Sequence, residues 1–304
     1  MRRKWQTFLP AELAGLSVFA REGRRQRAKV LDAYRQYHKA DPKGTSFLLR
    51  ERLRVLREAG VTEEEIIKQE ITFPTAIFPN TAATLYWTIW ELFSRPDILD
   101  EVRREVLTHA ITGSKSDGFI VDVAMLKTKC PLLLSVYEET QRLHHIHANI
   151  RAVLSDTVLD GRYLLKTGNF LQMPGQPIHT STDIWGQSAS EFDPYRFVPQ
   201  KGIDRDSIPP SAFLAWGAPP HLCPARQFAA TEILIAMAML ALRADIRPSS
   251  GIWEKNPALN YGELVTVINP KKDVEVEVTA RDEWAGKWDV KMGQSLTRIS
   301  LASG

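Results

Sequence analysis

From Val61 to Phe93 the chain reads VTEEEIIKQEITFPTAIFPNTAATLYWTIWELF, about thirty residues of helical pattern without a glycine. Thr62 and Glu65 have the spacing of a capping box, which satisfies two of the orphan N–H groups at a helix start. At ~1.5 Å per residue such a helix spans about 50 Å, enough to cross a whole domain. Pro74 and Pro79 each remove a backbone donor and crowd the preceding turn, so the spacing predicts one long central helix over 62–94 that bends near Asn80.

The flanking sequence supports more helices. AREGRRQRAKVLDAYRQYHKA and TSFLLRERLRVLREAG are charged and amphipathic, separated by the breaker DPKG. Ser94, Pro96 and Asp97 are start signals for DILDEVRREVLTHA, and Pro131 opens a helix over 131–143, PLLLSVYEETQRL. From Ile150 to Pro174 β-branched, aromatic and Gly residues suggest short strands and hairpins, with DGRY as a turn. The stretch from Gln176 to Pro220 reads as mostly irregular, which over that length points to function or tight packing. An apolar helix follows to about Leu242, and LVTVINPKKDVEVEVTAR reads as a hairpin around NPKKD. The expected class is mainly α with a small β region. With 304 residues and 44% hydrophobic content, the chain can bury a sizeable core, and it is read as one domain over 1–304.

Charge is unevenly placed. Residues 1 to 60 hold fifteen Lys or Arg against six Asp or Glu, about +9, while the remainder carries about −6. A basic region of this kind suits peripheral contact with acidic lipid headgroups or an acidic redox partner, or is simply a solvated helical face. No nucleic-acid partner is expected, because few aromatics interleave with the basic residues. Two cysteines far apart, Cys130 and Cys223, argue against a disulfide framework and for a reducing compartment. The segment MRRKWQTFLPAELAGLSVFA, interrupted by Pro10 and Glu12, resembles neither a signal peptide nor a membrane span, so a cytoplasmic or membrane-surface location is expected.

Chemistry concentrates in WGAPPHLCPAR, Trp216 to Arg226. Cys223 is followed by Pro224, which suits a first helical turn, so the sulfur is expected at a helix N-terminus where amide donors favour thiolate. A thiolate there is a nucleophile or a metal ligand; a buried small hydrophobe is the bland alternative. His221 is the nearest base, but the surrounding prolines suggest a rigid loop over a flat object. In EETQR, Glu139 and Arg142 stand at i,i+3 and can pair, with Glu138 and Arg142 competing at i,i+4. FDPYRF offers Arg196 as a second guanidinium for a buried knot.

Taken in order, PNTAATLYW, EETQR, NIR, FDPYRF and WGAPPHLCPAR resemble the haem-thiolate monooxygenases, the cytochrome P450 family, from about Thr62 onward. The resemblance implies a P450 fold lacking its N-terminal third, with the haem-ligand loop and following helix over 213–242. It implies haem b with Cys223 as proximal ligand, Trp216 in place of the usual Phe, and Gly217 in the ligand loop. It makes His221 and Arg151 of NIR propionate partners, and Glu139, Arg142 and Arg196 a structural triad behind the haem. It further implies a small apolar substrate, a terpenoid, steroid or other secondary metabolite, and electrons from NADPH through NADPH-cytochrome P450 reductase. The NT of the long helix with NIR is similar to the branch containing sterol 7α-hydroxylases and prostacyclin synthase, which joins hydroxylases and a reductase-independent isomerase.

Departures from the family pattern matter. Family members have Gly four before the cysteine, whereas this chain has Pro219; Ala225, two after it, is acceptable. Where the family has an acid followed by Thr for proton delivery, this chain reads Pro79, Asn80, Thr81, leaving Asn80 or Thr81 to hold a water. His144, His145 and His147 are expected to line the substrate pocket or the surface rather than hold zinc, having no second ligand pair nearby. Family members run half as long again, so a missing pocket roof, a solvent-facing haem edge and unpartnered apolar faces are expected.

Overall fold

The computed structural model describes residues 21–40, 44–218, 220–261 and 266–292. The N-terminal stretch that includes Pro10 and Glu12, and Pro219 of the cysteine loop, lie outside the described residues, as do Leu264 and Val265 of the tail. The chain divides into two compact units, residues 1–80 with 260–265, and residues 81–259 with 266–304.

The first unit holds α1 (Arg21–Ala40), α2 (Phe47–Glu58) and the N-terminal part of α3 (Glu63–Phe93). Ser46 caps α2 by accepting from the Leu49 N–H at 3.3 Å. At the start of α3 the capping box forms as read. Thr62 Oγ1 accepts from the Glu65 N–H at 3.4 Å, and the Glu65 carboxylate accepts from the Thr62 N–H at 3.2 Å. Leu31 of α1 packs on Ile67 and Ile71 of α3, with Val30 and Tyr34 alongside. α3 runs through Pro74 and Pro79 without a break in its assignment, and the division between the units falls just after Pro79, between Asn80 and Thr81.

In the second unit α4 (Pro96–Ala110), α5 (Val123–Lys129), α6 (Pro131–His144) and α9 (Arg226–Arg243) enclose the main core. Val102, Val106, Leu133, Val136, Leu234 and Met237 are buried there. The helix starts follow the prolines at 96 and 131 as the sequence indicated. The hairpin of β1 (Ile111–Ser114) and β2 (Gly118–Asp122), and α5 after it, were not among the elements expected from the sequence, although Asp117-Gly118 is a turn signal. β2 also pairs in parallel with β9 (Trp288–Lys291), a long-range partner that no local pattern contains.

The β region predicted from Ile150 to Pro174 is present. β3 (Ala148–Ala152) pairs antiparallel with β6 (Phe170–Pro174), and β4 (Thr157–Leu159) with β5 (Tyr163–Leu165). The DGRY turn closes the inner hairpin, with the Arg162 N–H donating to the Leu159 carbonyl at 3.1 Å. Beyond it come only short helices, among them α7 (Gly175–His179) and α8 (Thr182–Trp185), and two 3₁₀ turns before Phe213.

Among the described residues the expected hairpin around NPKKD does not form. β8 (Val276–Ala280) instead pairs with β7 (Ala244–Pro248), which leaves α9 directly and offers an open edge. Upstream, Val267 bridges to His145, and the Lys271 N–H donates to the Ala258 carbonyl at 2.7 Å. Each half of the tail thus satisfies its backbone against a tertiary neighbour, and alternation alone could not say which. Among the described residues no helix is long and apolar enough to cross a membrane.

Candidate functional site

The second unit gathers EETQR, NIR, FDPYRF and the cysteine loop. α6 places Glu139 and Arg142 one turn apart on its buried face. Arg142 Nε and Nη2 donate to the two Glu139 oxygens at 2.7 Å each, and Arg196 Nε donates to Glu139 Oε1 at 2.9 Å. The Glu139 and Arg142 side chains have no exposure, so both guanidiniums depend on this one carboxylate for charge balance. Their other donors reach outward. Arg142 Nη1 bonds the Ala189 carbonyl at 2.6 Å and the His179 carbonyl, while Arg196 bonds the carbonyls of Trp185 at 3.1 Å and Ser188 at 2.9 Å. The Asp193 N–H donates to Glu139 at 3.0 Å. The knot therefore fixes the irregular chain from about 179 to 196 onto α6, which explains how a segment of so little regular structure keeps its backbone paired.

The competing Glu138–Arg142 pair is absent. Arg205 Nη1 donates to Glu138 at 3.0 Å instead. Burial pushes the Glu138 carboxyl up to about 7 against the opposing pull of Arg205.

The cysteine loop closes on itself. The Cys223 N–H donates to the Trp216 carbonyl at 2.9 Å, and the His221 N–H to the Ala218 carbonyl at 3.0 Å. α9 begins at Arg226, slightly later than Pro224 suggested, with a turn between. Arg226 folds back so that its guanidinium bonds the Cys223 carbonyl at 3.0 Å. Gly217 adopts φ +90, and a Cβ there would meet the His221 carbonyl at 3.1 Å and Asn149 Oδ1 at 4.0 Å. Only glycine takes this conformation cheaply, and its bareness lets β3 approach the loop. Cys223 is a half-buried free thiol.

Behind the loop, Phe213 and Ala215 sit in a second apolar cluster with Trp185, Phe197 and Ile208, and Trp216 bridges it to the main core. The Leu214 N–H donates to His179 Nε2 at 2.8 Å. His179 therefore presents an unprotonated Nε2, and burial followed by the charge of Arg142 holds its pKa down at about 4. Tyr137 is fully buried in α6, and its hydroxyl is pushed well above the ordinary value by burial, then by Glu138 and Cys223.

Haem is the group implied here, and the loop's own atoms test the fit. Cys223 is a free, half-buried thiol, a soft donor of the kind that suits a haem iron. Trp216 Nε1 and Asn149 Nδ2 are buried donors with no protein acceptor among the described residues. The residues present fit it.

The other sequence-derived positions lie as follows. Arg151 on β3 is half-buried and donates to the adjacent Ile150 carbonyl at 3.0 Å. His221 is exposed on the loop. Asn80 and Thr81 are consecutive, half-buried residues of α3, and Asn80 Nδ2 donates to the Ala76 carbonyl at 3.0 Å. The histidine cluster is partly core. His144 stacks on Trp87 at 4.0 Å and bonds Glu91 at 2.8 Å, and His145 is buried beside His179. Sequence reasoning missed Arg205 and His179. Arg205 sits between two aspartates and reads as a solvated charge, and a lone histidine carries no spacing signal.

Known proteins resemble the chain over most of its length. The family model for Cytochrome P450 matches residues 17–272. The chain is 32% identical over 296 residues to "Cytochrome P450 monooxygenase nodJ" of Hypoxylon pulicicidum, covering 94% of this chain and 57% of that protein. It is 28% identical over 287 residues to "Cytochrome P450 monooxygenase" of Gibberella zeae, covering 90% of this chain and 55% of that protein. A "Bifunctional cytochrome P450/NADPH--P450 reductase ALT2" of Alternaria alternata is 29% identical over 187 residues, covering 61% of this chain and 16% of that protein. The chain spans about half the length of the first two of these relatives.

Proposed function

The chain belongs to the cytochrome P450 family, and on that premise we propose that it carries the thiolate-bearing part of a monooxygenase that inserts one oxygen atom from O₂ into an apolar small molecule. The observation that carries the reading is the half-buried Cys223 thiol on a self-closed loop, whose preceding stretch is tied through the Leu214–His179 bond to a buried two-arginine, one-carboxylate knot. When bound, haem b supplies the activation of dioxygen, a chemistry that belongs to the cofactor.

In this reading Cys223 is the metal ligand, and the Trp216 carbonyl holds its backbone in place. Arg151 and His221 bind the haem carboxylates. Asn80 or Thr81 on α3 holds a water that relays protons. The Glu139 knot touches no substrate and sets the height of the loop. Electrons come from NADPH through a reductase, and a terpenoid, steroid or other secondary metabolite is the substrate class. The protein works in the cytoplasm or at the endoplasmic reticulum membrane surface. The relatives' names support the reaction class, and the reductase fusion supports the electron route.

The test is to add hemin to the purified chain, then reductase, NADPH and labelled dioxygen with a panel of terpenoids and steroids. Isotope in the product with matching NADPH consumption supports the reading. Turnover without NADPH points to an isomerase, and no hemin uptake overturns it.

A further inference from the structure

We propose that Glu138 and Arg205 form a second buried clamp that positions the Cys223 loop, separate from the Glu139 knot; this rests on the haem-thiolate reading above. Arg205 opens a 3₁₀ turn, Arg205–Ser207, in the irregular stretch ahead of the cysteine loop. Its Nη1 donates to Glu138 Oε1 at 3.0 Å and its Nη2 to Glu138 Oε2. The Glu138 side chain is 3% exposed and that of Arg205 28%, so water replaces little of what the pair supplies. The same Nη2 bonds the Phe197 carbonyl at 3.2 Å, and the guanidinium lies 5.4 Å from the Phe197 ring centroid.

Phe197 is itself tied to α6, its N–H donating to Ser135 Oγ at 3.0 Å. Its ring meets that of Phe213 edge-on at 6.0 Å. Phe197, Ile208, Ala212, Phe213 and Ala215 form one buried cluster, with Trp216 packed on it. The division of labour follows from these contacts. The Glu139 knot grips the chain from about 179 to 196, whereas Arg205 grips the next stretch, which delivers Phe213 and Trp216 to the loop and hence the carbonyl that Cys223 bonds. Both anchors stand on one turn of α6, at adjacent residues. Glu138 and Arg205 are thus positioning residues for Cys223.

The experiment compares R205M, R205K and the double variant E138M/R205M with the unaltered chain. Three quantities are read: the urea midpoint, the rate at which N-ethylmaleimide labels Cys223 in hemin-free protein, and the share of thiolate-type Soret absorbance in the hemin-loaded, reduced carbon monoxide complex. R205M leaves the buried Glu138 carboxyl without its partner, and without that pull burial drives it to take up a proton. The variant is expected to lower the midpoint, speed labelling roughly tenfold and shift absorbance to the thiol-ligated form. R205K, which keeps charge but not the fork, falls between. The double variant removes the unpartnered buried carboxyl and recovers the midpoint, while fast labelling and the lost thiolate band persist. If labelling and band return together with the midpoint, or never change in R205M, the pair contributes stability alone and the proposal fails. Should R205M not fold, the double variant carries the comparison. If the unaltered chain takes up no hemin, the haem reading fails, and the labelling arm still decides the role of the clamp.

Discussion

Replacing Arg142 by lysine keeps the charge and nearly the reach, so its cost isolates the geometry of the knot. Arg142 makes five hydrogen bonds, two to Glu139 at 2.7 Å each and one each to the carbonyls of His179, Ala189 and Glu191. A lysine ammonium has three protons on one nitrogen, so at least two of these acceptors lose their partner. With 0% exposure of the Arg142 side chain, no water takes their place. Each abandoned buried acceptor costs about 1–3 kcal/mol, so losing two makes R142K cost about 2–6 kcal/mol. That is a large part of the ~5–15 kcal/mol that holds a folded domain. Urea unfolding followed by tryptophan fluorescence reads the loss, helped by Trp185, whose ring centroid lies 5.2 Å from the Arg142 guanidinium. The control is R162K at a side chain 75% exposed, which is expected to stay within ~0.5 kcal/mol of the unaltered protein. If R142K matches that control, the knot does not anchor the 179–196 segment and the reasoning is refuted.

Three further outcomes follow from the same contacts. Gly217→Ala forces a Cβ into a φ +90 backbone, costing about 1–3 kcal/mol and weakening hemin binding in a spectrophotometric titration; unchanged affinity would remove Gly217 from the site. Glu138 titrates near 7 in the folded chain against 4.5 when unperturbed, so the folded state binds the extra proton between these values. Stability is therefore expected to fall as pH rises from about 4.5 to about 7, and E138Q to flatten that slope; an identical slope in E138Q would contradict it. His179 runs the opposite way, titrating near 4 in the folded chain against 6.5 when free. Its contribution is complete above 6.5 and lost as pH falls toward 4, when protonation breaks the Leu214 bond. His179→Gln is expected to remove part of the acid slope, and an unchanged acid unfolding curve would count against this.

What the sequence made legible was set by locality. The capping box at Thr62, the prolines at 96 and 131, and the DGRY turn act within a few residues, and each formed where the pattern placed it. Glu139 and Arg142 meet on one helix face for the same reason. Apart from the local β1–β2 hairpin, the failures are pairings across long separations. β8 chose β7 over its neighbour in sequence, β9 joined β2, and Arg205 found Glu138 across 67 residues. The family pattern named Arg196 as the third member of the knot because order and spacing of motifs carry tertiary information that residue chemistry lacks. No motif flagged Arg205 or His179, whose partners lie far away in sequence.

The central claim is that Cys223 ligates haem iron, and the reduced carbon monoxide spectrum of the hemin-loaded chain tests it most directly. The unaltered protein and Cys130→Ala are both expected to give the thiolate-type Soret band, since Cys130 is buried and burial, then Glu105, pushes its thiol up to about 12. Cys223→Ala is expected to lose that band while remaining folded by circular dichroism. A thiolate band that survives in Cys223→Ala, or one that vanishes in Cys130→Ala, contradicts the assignment.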